Sequence, residues 1–279
     1  MDEVRSVMLL EDAPASDESL TYCRSMRDRR RQKLPTQLPK PALSKLKEWA
    51  SDTTSSLLLA QGHGVRTSCL DFATDFLDAV LQQGHPILWA LPLSVEDTTL
   101  QPSITGILRS LISQALSLNP AAMDEGVNPI TIKHIKSAMT IDQWFAIFER
   151  CISCFPHLFL VIDIGLVEVA TAHEESEQMP CTVGDFVEHI SEIVKRRGNR
   201  GSLKVIIVCW RFSALTSLDI SEVFDEMHIK TDMGKRVERL IRQPKYRWMF
   251  RQKNREFAEN FRSAVSMVPL HNGASDTSV

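Results

Sequence analysis

Short apolar runs alternate with longer amphipathic segments through the middle of the chain. Five runs have the length and composition of strands, the last more weakly than the others: 57–60, 87–91, 158–163, 204–210 and 227–231. The segments between them repeat their apolar residues at helical spacing and predict helices over 67–83, 104–118, 140–155 and 182–198. This alternation predicts a three-layer α/β/α domain with a mainly parallel, doubly wound sheet over residues 41–232.

Both ends of the chain differ from this pattern. Residues 1–40 combine acidic and basic stretches with closely spaced prolines, which predicts a flexible tail and linker. The basic run 24–33 favours a solvated charged arm, with a nuclear address or an anion-binding patch as alternatives. Residues 233–265 predict basic amphipathic helices, with 11 Lys and Arg against four acids over 230–262. These helices either pack on the α/β domain or bind nucleic acid or an acidic partner, and residues 266–279 predict a disordered tail.

Composition narrows the class of protein. The 279 residues carry a formal net charge of −3, which excludes a strongly basic nucleic-acid binder as the identity of the whole chain. No apolar run reaches the length of about 18 residues that a membrane span needs, so no membrane partner is expected. Six scattered cysteines and an acidic N-terminus without a signal-peptide pattern predict an intracellular, cytoplasmic protein, with a nuclear location left open by 24–33.

The most informative chemistry lies where the first strand turns into a helix, in LLLAQGHGVRTS (57–68). A glycine-containing turn at this point of an α/β fold can hold phosphate with backbone N–H groups and the helix N-terminus. Aligned with the P-loop pattern, Arg66 takes the lysine position and Thr67 the position of the hydroxyl that binds the metal. The predicted phosphate cradle consists of Gly62, His63, Gly64, Val65, Arg66, Thr67 and Ser68.

Two later strands end in residues that suit the same site. Asp163 ends an apolar strand in the manner of a Walker B aspartate, which would hold Mg²⁺ together with Thr67. Arg211 follows the strand 204–210, where it could sense a γ-phosphate. Parallel strands bring their carboxyl ends to one edge of a sheet, so Arg66, Asp163 and Arg211 are expected to converge there.

Over residues 42–262 the chain resembles the NACHT-type nucleotide-binding domain of STAND P-loop NTPases, in particular the degenerate versions common in fungal proteins. The resemblance rests on QWFAIFERCISCFPHLFLVIDIGLVE (143–168), on VIIVCWRF (205–212), and on MHIKTD (227–232) followed by RVERLI (236–241). It implies a five-stranded sheet of order 5-1-4-3-2 and ATP or GTP with Mg²⁺ as ligand.

The chain departs from the family at positions that matter for turnover. Leu166 and Val167 stand where the family has acids, and only Glu168, one place off, is a weak catalytic candidate. Arginine also differs from the P-loop lysine in size and shape. The sequence therefore predicts a module with little or no nucleotide hydrolysis, with a working ATPase as a third hypothesis behind the two that follow. One alternative is a degenerate nucleotide-binding regulatory or scaffold module with a protein partner. The other is a nucleotide-free pseudo-NTPase that contacts protein or nucleic acid through 233–262.

Overall fold

A computed structural model of the chain describes residues 16–31, 40–63, 66–92, 102–120, 131–173, 181–197, 201–210 and 225–230, together with positions 252, 255, 259, 262 and 263. The strands are β1 Ser56–His63, β2 Ile87–Ala90, β3 His157–Asp163, β4 Ser202–Trp210 and β5 Asp225–Lys230. The helices are α1 Ser16–Arg31, α2 Lys40–Ser51, α3 Arg66–Gln82, α4 Ile104–Leu118, α5 Ile132–Ser137, α6 Ile141–Ser153, α7 Ile164–His173 and α8 Val183–Arg197. Apart from the five single positions, the predicted C-terminal helices 233–265 and the tail 266–279 lie outside the described residues.

The strands form one sheet in the order β2-β3-β4-β1-β5, and every neighbouring pair is parallel. The predicted α/β class with a parallel sheet is confirmed, and the order of β1, β4, β3 and β2 agrees with the expectation. The two central pairings are extensive, because β1 matches β4 from Ser56 to Gly62 and β3 matches β4 from His157 to Asp163. The carboxyl ends of the strands consequently lie at a common edge.

Apolar side chains on the two faces of the sheet build two separate cores. On one face, Leu59, Leu160 and Ile207 pack with α4, α6, α7 and α8. On the other face, strand residues such as Leu58 and Val161 pack with α1, α2 and α3. Side chains alternate between faces along each strand, so strands covered on both sides need the nearly continuous apolar runs seen in the sequence. Among the described residues, no helix combines the length and the apolar character needed to cross a membrane.

Residues 16–31 correct the prediction of an irregular N-terminal tail. They form helix α1, which buries Ser19, Leu20, Cys23 and Arg27. The prolines that indicated a linker, at 35, 39 and 41, all follow this helix, so they leave its interior intact. Most of the basic run 24–33 therefore belongs to a packed helix, and the interpretation of that run as a solvated arm is wrong for residues 24–31.

A buried lysine links α2 to the amino-terminal edge of the sheet through polar and aromatic contacts. The side chain of Lys204 is fully buried, and its Nζ donates a hydrogen bond to Ser56 Oγ over 2.9 Å. The same atom lies 3.6 Å from Asp52 Oδ2 and 5.4 Å from the centre of the Trp49 ring. A carboxylate, a hydroxyl and an aromatic face together compensate the lost hydration of the ammonium group. This cluster lies at the edge opposite to the predicted phosphate site.

Side-chain caps define where several helices begin. The predicted N-cap Thr140 is confirmed, because its Oγ1 accepts a hydrogen bond from Gln143 N and the Gln143 side chain accepts one from Thr140 N. Thr182 and Asp185 make the same reciprocal pair at the start of α8, with the Thr182 N–H donating to Asp185 Oδ2 over 2.8 Å. The backbone N–H and then the hydroxyl of Thr182 hold the pKa of Asp185 below its ordinary value.

We expect Asp185→Ala to lower the free energy of unfolding by about 0.5–1 kcal/mol at neutral pH, the usual contribution of such a cap. A carboxyl whose pKa is lower in the folded state stabilises that state above the unfolded pKa, about 4. The difference between wild type and variant should therefore shrink as the pH falls below about 4. Urea unfolding at several pH values measures it, with the exposed Glu188→Ala as the matched control. An equal loss in both variants would contradict the capping role.

Candidate functional site

The carboxyl-terminal edge of the sheet brings several of the predicted site residues into one region. Asp163 is the last residue of β3, and Val208 pairs with it on the adjacent β4. On the other side of β4, Gly62 pairs with Trp210 near the end of β1. Only one strand separates β1 from β3, so their ends are about 10 Å apart at the usual strand spacing. Helix α3 starts at Arg66, three positions after β1 ends.

Some of the predicted site residues lie outside the part of the chain that the structure describes. Gly64, Val65 and Arg211 lie outside the described residues, as do the side chains of His63 and Arg66. Arg211 directly follows Trp210, the last residue of β4. Its predicted role as a γ-phosphate sensor stays a prediction.

The structure corrects the position of Gly62 and His63, which the sequence places in a phosphate-binding loop. Both residues belong to β1. This strand has neighbours on both sides, and positions 60–62 pair with 208–210 of β4 and with 227–229 of β5. The backbone N–H groups of an interior strand are used by its neighbours, so those of 60–62 are not available to surround a phosphate. Only two residues, 64–65, connect β1 to α3.

Gly62 serves a packing role at this point. A Cβ atom at this position would lie 1.8 Å from Cys69 Sγ, far inside the contact distance. Cys69 lies in the first turns of α3, and its thiol donates a hydrogen bond to the Cys209 carbonyl of β4 over 3.4 Å. The missing side chain therefore leaves room for the Cys69 thiol between α3 and the sheet. The other predicted residues of this helix start, Thr67 and Ser68, are both half-buried.

Asp163 is buried, with 5% of its surface exposed, and it directly precedes helix α7. Its Oδ1 accepts a hydrogen bond over 3.3 Å from the N–H of Gly165, the second residue of α7. This is the contact that an N-cap residue makes. A Walker B strand and an N-capped helix therefore both account for a carboxylate here, and the sequence alone does not separate them.

Residues after Asp163 point in different directions from α7. Val167, where the family has an acid, is fully buried in the core formed with α4, α6 and α8. Glu168 is half-buried in the middle of the same helix. Within the described ranges, no three His, Cys, Asp or Glu side chains come together as a metal-binding group.

Helix α1 covers the edge on the α3 side. Its first residue, Ser16, accepts a hydrogen bond over 3.0 Å from the Trp89 indole, and the Cys23 thiol lies 3.7 Å from the Pro92 carbonyl, just after β2. Burial raises the pKa of Cys23 to about 12, and the negative charge of Asp163 adds to this effect.

A cluster of ion pairs holds α1 against α3. This arginine–aspartate cluster consists of Arg24, Arg27, Arg30 and Arg31 of α1 with Asp71, Asp75 and Asp78 of α3. Arg27 Nη1 lies 3.1 Å from Asp75 Oδ1 and 2.6 Å from Asp78 Oδ2. Arg30 Nε donates to both carboxylate oxygens of Asp71 over 3.1 and 3.2 Å. Two-oxygen contacts of this kind are among the stronger charge-assisted hydrogen bonds.

Burial sets the electrostatics of this cluster. It raises the pKa of Asp75 to about 6, although the charges of Arg31 and Arg27 act in the opposite direction. Burial alone would lower the pKa of Arg27, but Asp75 and Asp78 raise it above its ordinary value. Removing these charges from water therefore costs a large free energy. Each buried charge depends on its ion-pair partners to offset that cost.

Sequence reasoning missed this cluster. A usable signal was present, because Arg24, Arg27 and Arg31 recur at intervals of three and four, the spacing of one helix face. Asp71, Asp75 and Asp78 do the same within a predicted helix. Two complementary stripes of charge are typical of helices that lie side by side.

Comparisons of the chain with protein-family models, with curated proteins and with solved structures found no match.

Proposed function

We propose that this chain is a P-loop-NTPase-like scaffold that acts as an interaction module and does not turn over nucleotide. A parallel sheet with helices on both faces, a helix directly after β1 and a carboxylate at the end of β3 support the likeness to P-loop NTPases. The same features are expected of the degenerate NACHT and STAND type. The proposal that no nucleotide is turned over rests on how the edge of the sheet is built.

One observation carries the proposal: the pairing of residues 60–62 with strands on both sides. A P-loop surrounds the phosphates with the backbone N–H groups of a multi-residue loop. In this chain those groups belong to a sheet, and two residues connect the strand to the helix. The residues present therefore do not fit the phosphates of ATP or GTP in the manner of a P-loop.

The metal side of the site supports the same conclusion. A Mg²⁺ ion that bridges nucleotide phosphates needs carboxylate and hydroxyl oxygens that face the ligand. The carboxyl group of Asp163 is buried and accepts a hydrogen bond from the N–H of Gly165 at the start of α7. Thr67 is half-buried at the start of α3. Phosphoryl transfer depends on placing metal, cation and water together, and this arrangement does not favour it.

Titration calorimetry with ATP and GTP in the presence of Mg²⁺ tests the proposal. We expect no saturable heat up to millimolar nucleotide and no phosphate release above the buffer rate. Saturable binding that disappears in Thr67→Ala or Asp163→Ala would contradict it. Thr53→Ala is the matched control, because this exposed threonine precedes β1 at the opposite edge of the sheet.

A second candidate is a degenerate nucleotide-binding regulatory module with little or no hydrolysis. It is favoured by the position of the first turn of α3 at the same edge as Asp163, because the first N–H groups of a helix attract anions. Phosphate would then meet Arg66, Thr67 and Ser68 without a surrounding loop. The same calorimetry decides between the two candidates, and Arg66→Ala should abolish binding only in this second case.

A further inference from the structure

Helix α3 presents a stripe of acidic side chains along one face. Asp71, Asp75 and Asp78 are spaced by four and three positions, and at most a fifth of each side chain is exposed. Other faces of α3 carry Phe72 and Phe76, which are buried against the sheet. The acidic stripe is therefore a surface built into a firmly packed helix.

A basic helix already occupies this surface. Arg24 pairs with Asp78 at one end and Arg30 pairs with Asp71 at the other, so α1 and α3 run in opposite directions. Arg27 bridges Asp75 and Asp78 between these ends. The arginine–aspartate cluster shows which chemistry the stripe selects: a helix with arginines at intervals of three and four.

Few apolar contacts accompany these charges. Leu20 and Cys23 are the buried apolar residues of α1, Tyr22 packs against the same core while partly buried, and the exposed positions of the helix include Asp17, Glu18 and Arg29. Pro35 and Pro39 lie between α1 and α2 in the sequence. A helix held by charge pairs and a short apolar strip can be replaced by another helix that carries the same charge pattern and a similar strip.

We propose that the acidic stripe of α3 is a docking site for arginine-rich helices, which α1 fills within the chain and which a basic helix of a partner protein occupies in its place. The proposal builds on the proposed function, since it names the class of partner for the interaction module. In the free protein α1 acts as an internal competitor. A helix tethered by a short segment competes at an effective concentration on the order of millimolar.

Peptide binding to the full chain tests this proposal. The probe is a fluorescein-labelled peptide of residues 16–31, followed by fluorescence anisotropy. The variant Arg27→Gln/Arg30→Gln weakens the internal helix and leaves the aspartates of α3 intact. We expect this variant to bind the peptide at least tenfold more tightly than wild type. Arg29→Gln is the matched control, because it removes an exposed arginine of the same helix, and it should bind as weakly as wild type.

Two changes to the pairing partners complete the design. Adding Asp71→Asn and Asp75→Asn to the weakened chain should reduce peptide affinity at least tenfold, and a peptide with its cluster arginines changed to glutamine should not bind. Equal binding to wild type and the weakened variant, or binding that does not depend on the aspartates, would overturn the proposal. Thermal unfolding followed by circular dichroism establishes that each variant is folded.

A second experiment tests the exchange of α1 for a peptide without any substitution in α1 or α3. A protease site is introduced into 32–39 of the otherwise wild-type chain, and the chain is cut there. Excess unlabelled peptide 16–31 should then release the cleaved N-terminal segment during size-exclusion chromatography, and the glutamine peptide should not. Retention of the segment at every peptide concentration would reject exchange. The nucleotide titration is independent of this result, so nucleotide binding would refute only the proposed function.

Discussion

Replacing Asp75 with alanine is expected to lower the free energy of unfolding by about 3–5 kcal/mol, the range for breaking a buried ion pair from one side. Asp75 is 8% exposed and pairs with both Arg27 and Arg31. Without it, Arg27 and Arg31 lose a shared buried partner, and their own side chains are only 10% and 18% exposed. Urea unfolding at neutral pH, followed by circular dichroism, measures the loss.

Asp28→Ala is a matched control for this prediction, because Asp28 contacts the same Arg27 over 3.1 Å but its side chain is 63% exposed. An exposed pair contributes at most about 1 kcal/mol, so the control should remain close to wild type. The double variant Arg27→Met/Asp75→Leu should be more stable than Asp75→Ala, because it removes the more deeply buried of the two arginine partners together with the carboxylate. Similar losses for Asp75→Ala and Asp28→Ala would show that burial does not set the contribution of the cluster.

The same ion pairs explain why the composition of the basic run pointed away from α1, although its arginines already have the spacing of one helix face. Arginines of α1 and aspartates of α3 that pair lie 41 to 54 residues apart in the chain. A basic run near three prolines has the composition of a solvated arm when its neighbours are unknown. Only the packing of α1 beside α3 supplies the counter-charges that make a folded helix favourable.

Strands and helices of the α/β domain were predictable because their signal is local. Runs such as 158–163 and 204–210 are apolar at almost every position, as strands between two helix layers must be. Helix 104–118 has its apolar residues at helical spacing, and the structure places it over the same residues. The order of β1, β4, β3 and β2 followed from the family resemblance rather than from these patterns.

The predicted phosphate site illustrates the limit of motif reasoning. Whether residues 60–63 form a loop or extend β1 depends on β4 and β5, which come more than a hundred residues later in the chain. Asp163 is similarly ambiguous, because a carboxylate suits both a metal ion and the N-terminus of a helix. A short motif specifies residue types, whereas the function of those residues depends on what surrounds them in the folded chain.

Gly62→Ala tests whether Gly62 is needed for packing between β1 and α3 rather than for a phosphate-binding loop. We expect it to lower the free energy of unfolding by about 1–3 kcal/mol, as overpacking usually does. The new methyl group would lie 1.8 Å from Cys69 Sγ, so the thiol must rotate away from the Cys209 carbonyl or α3 must move from the sheet. Cys69→Ala removes the atom responsible for the clash. The double variant should therefore lose less stability than the sum of the single variants, with a coupling of about 0.5–3 kcal/mol. Urea unfolding of all four proteins measures this coupling. Additive losses would show that Gly62 is not required for the close contact with Cys69, and that its role at the edge of the sheet lies elsewhere.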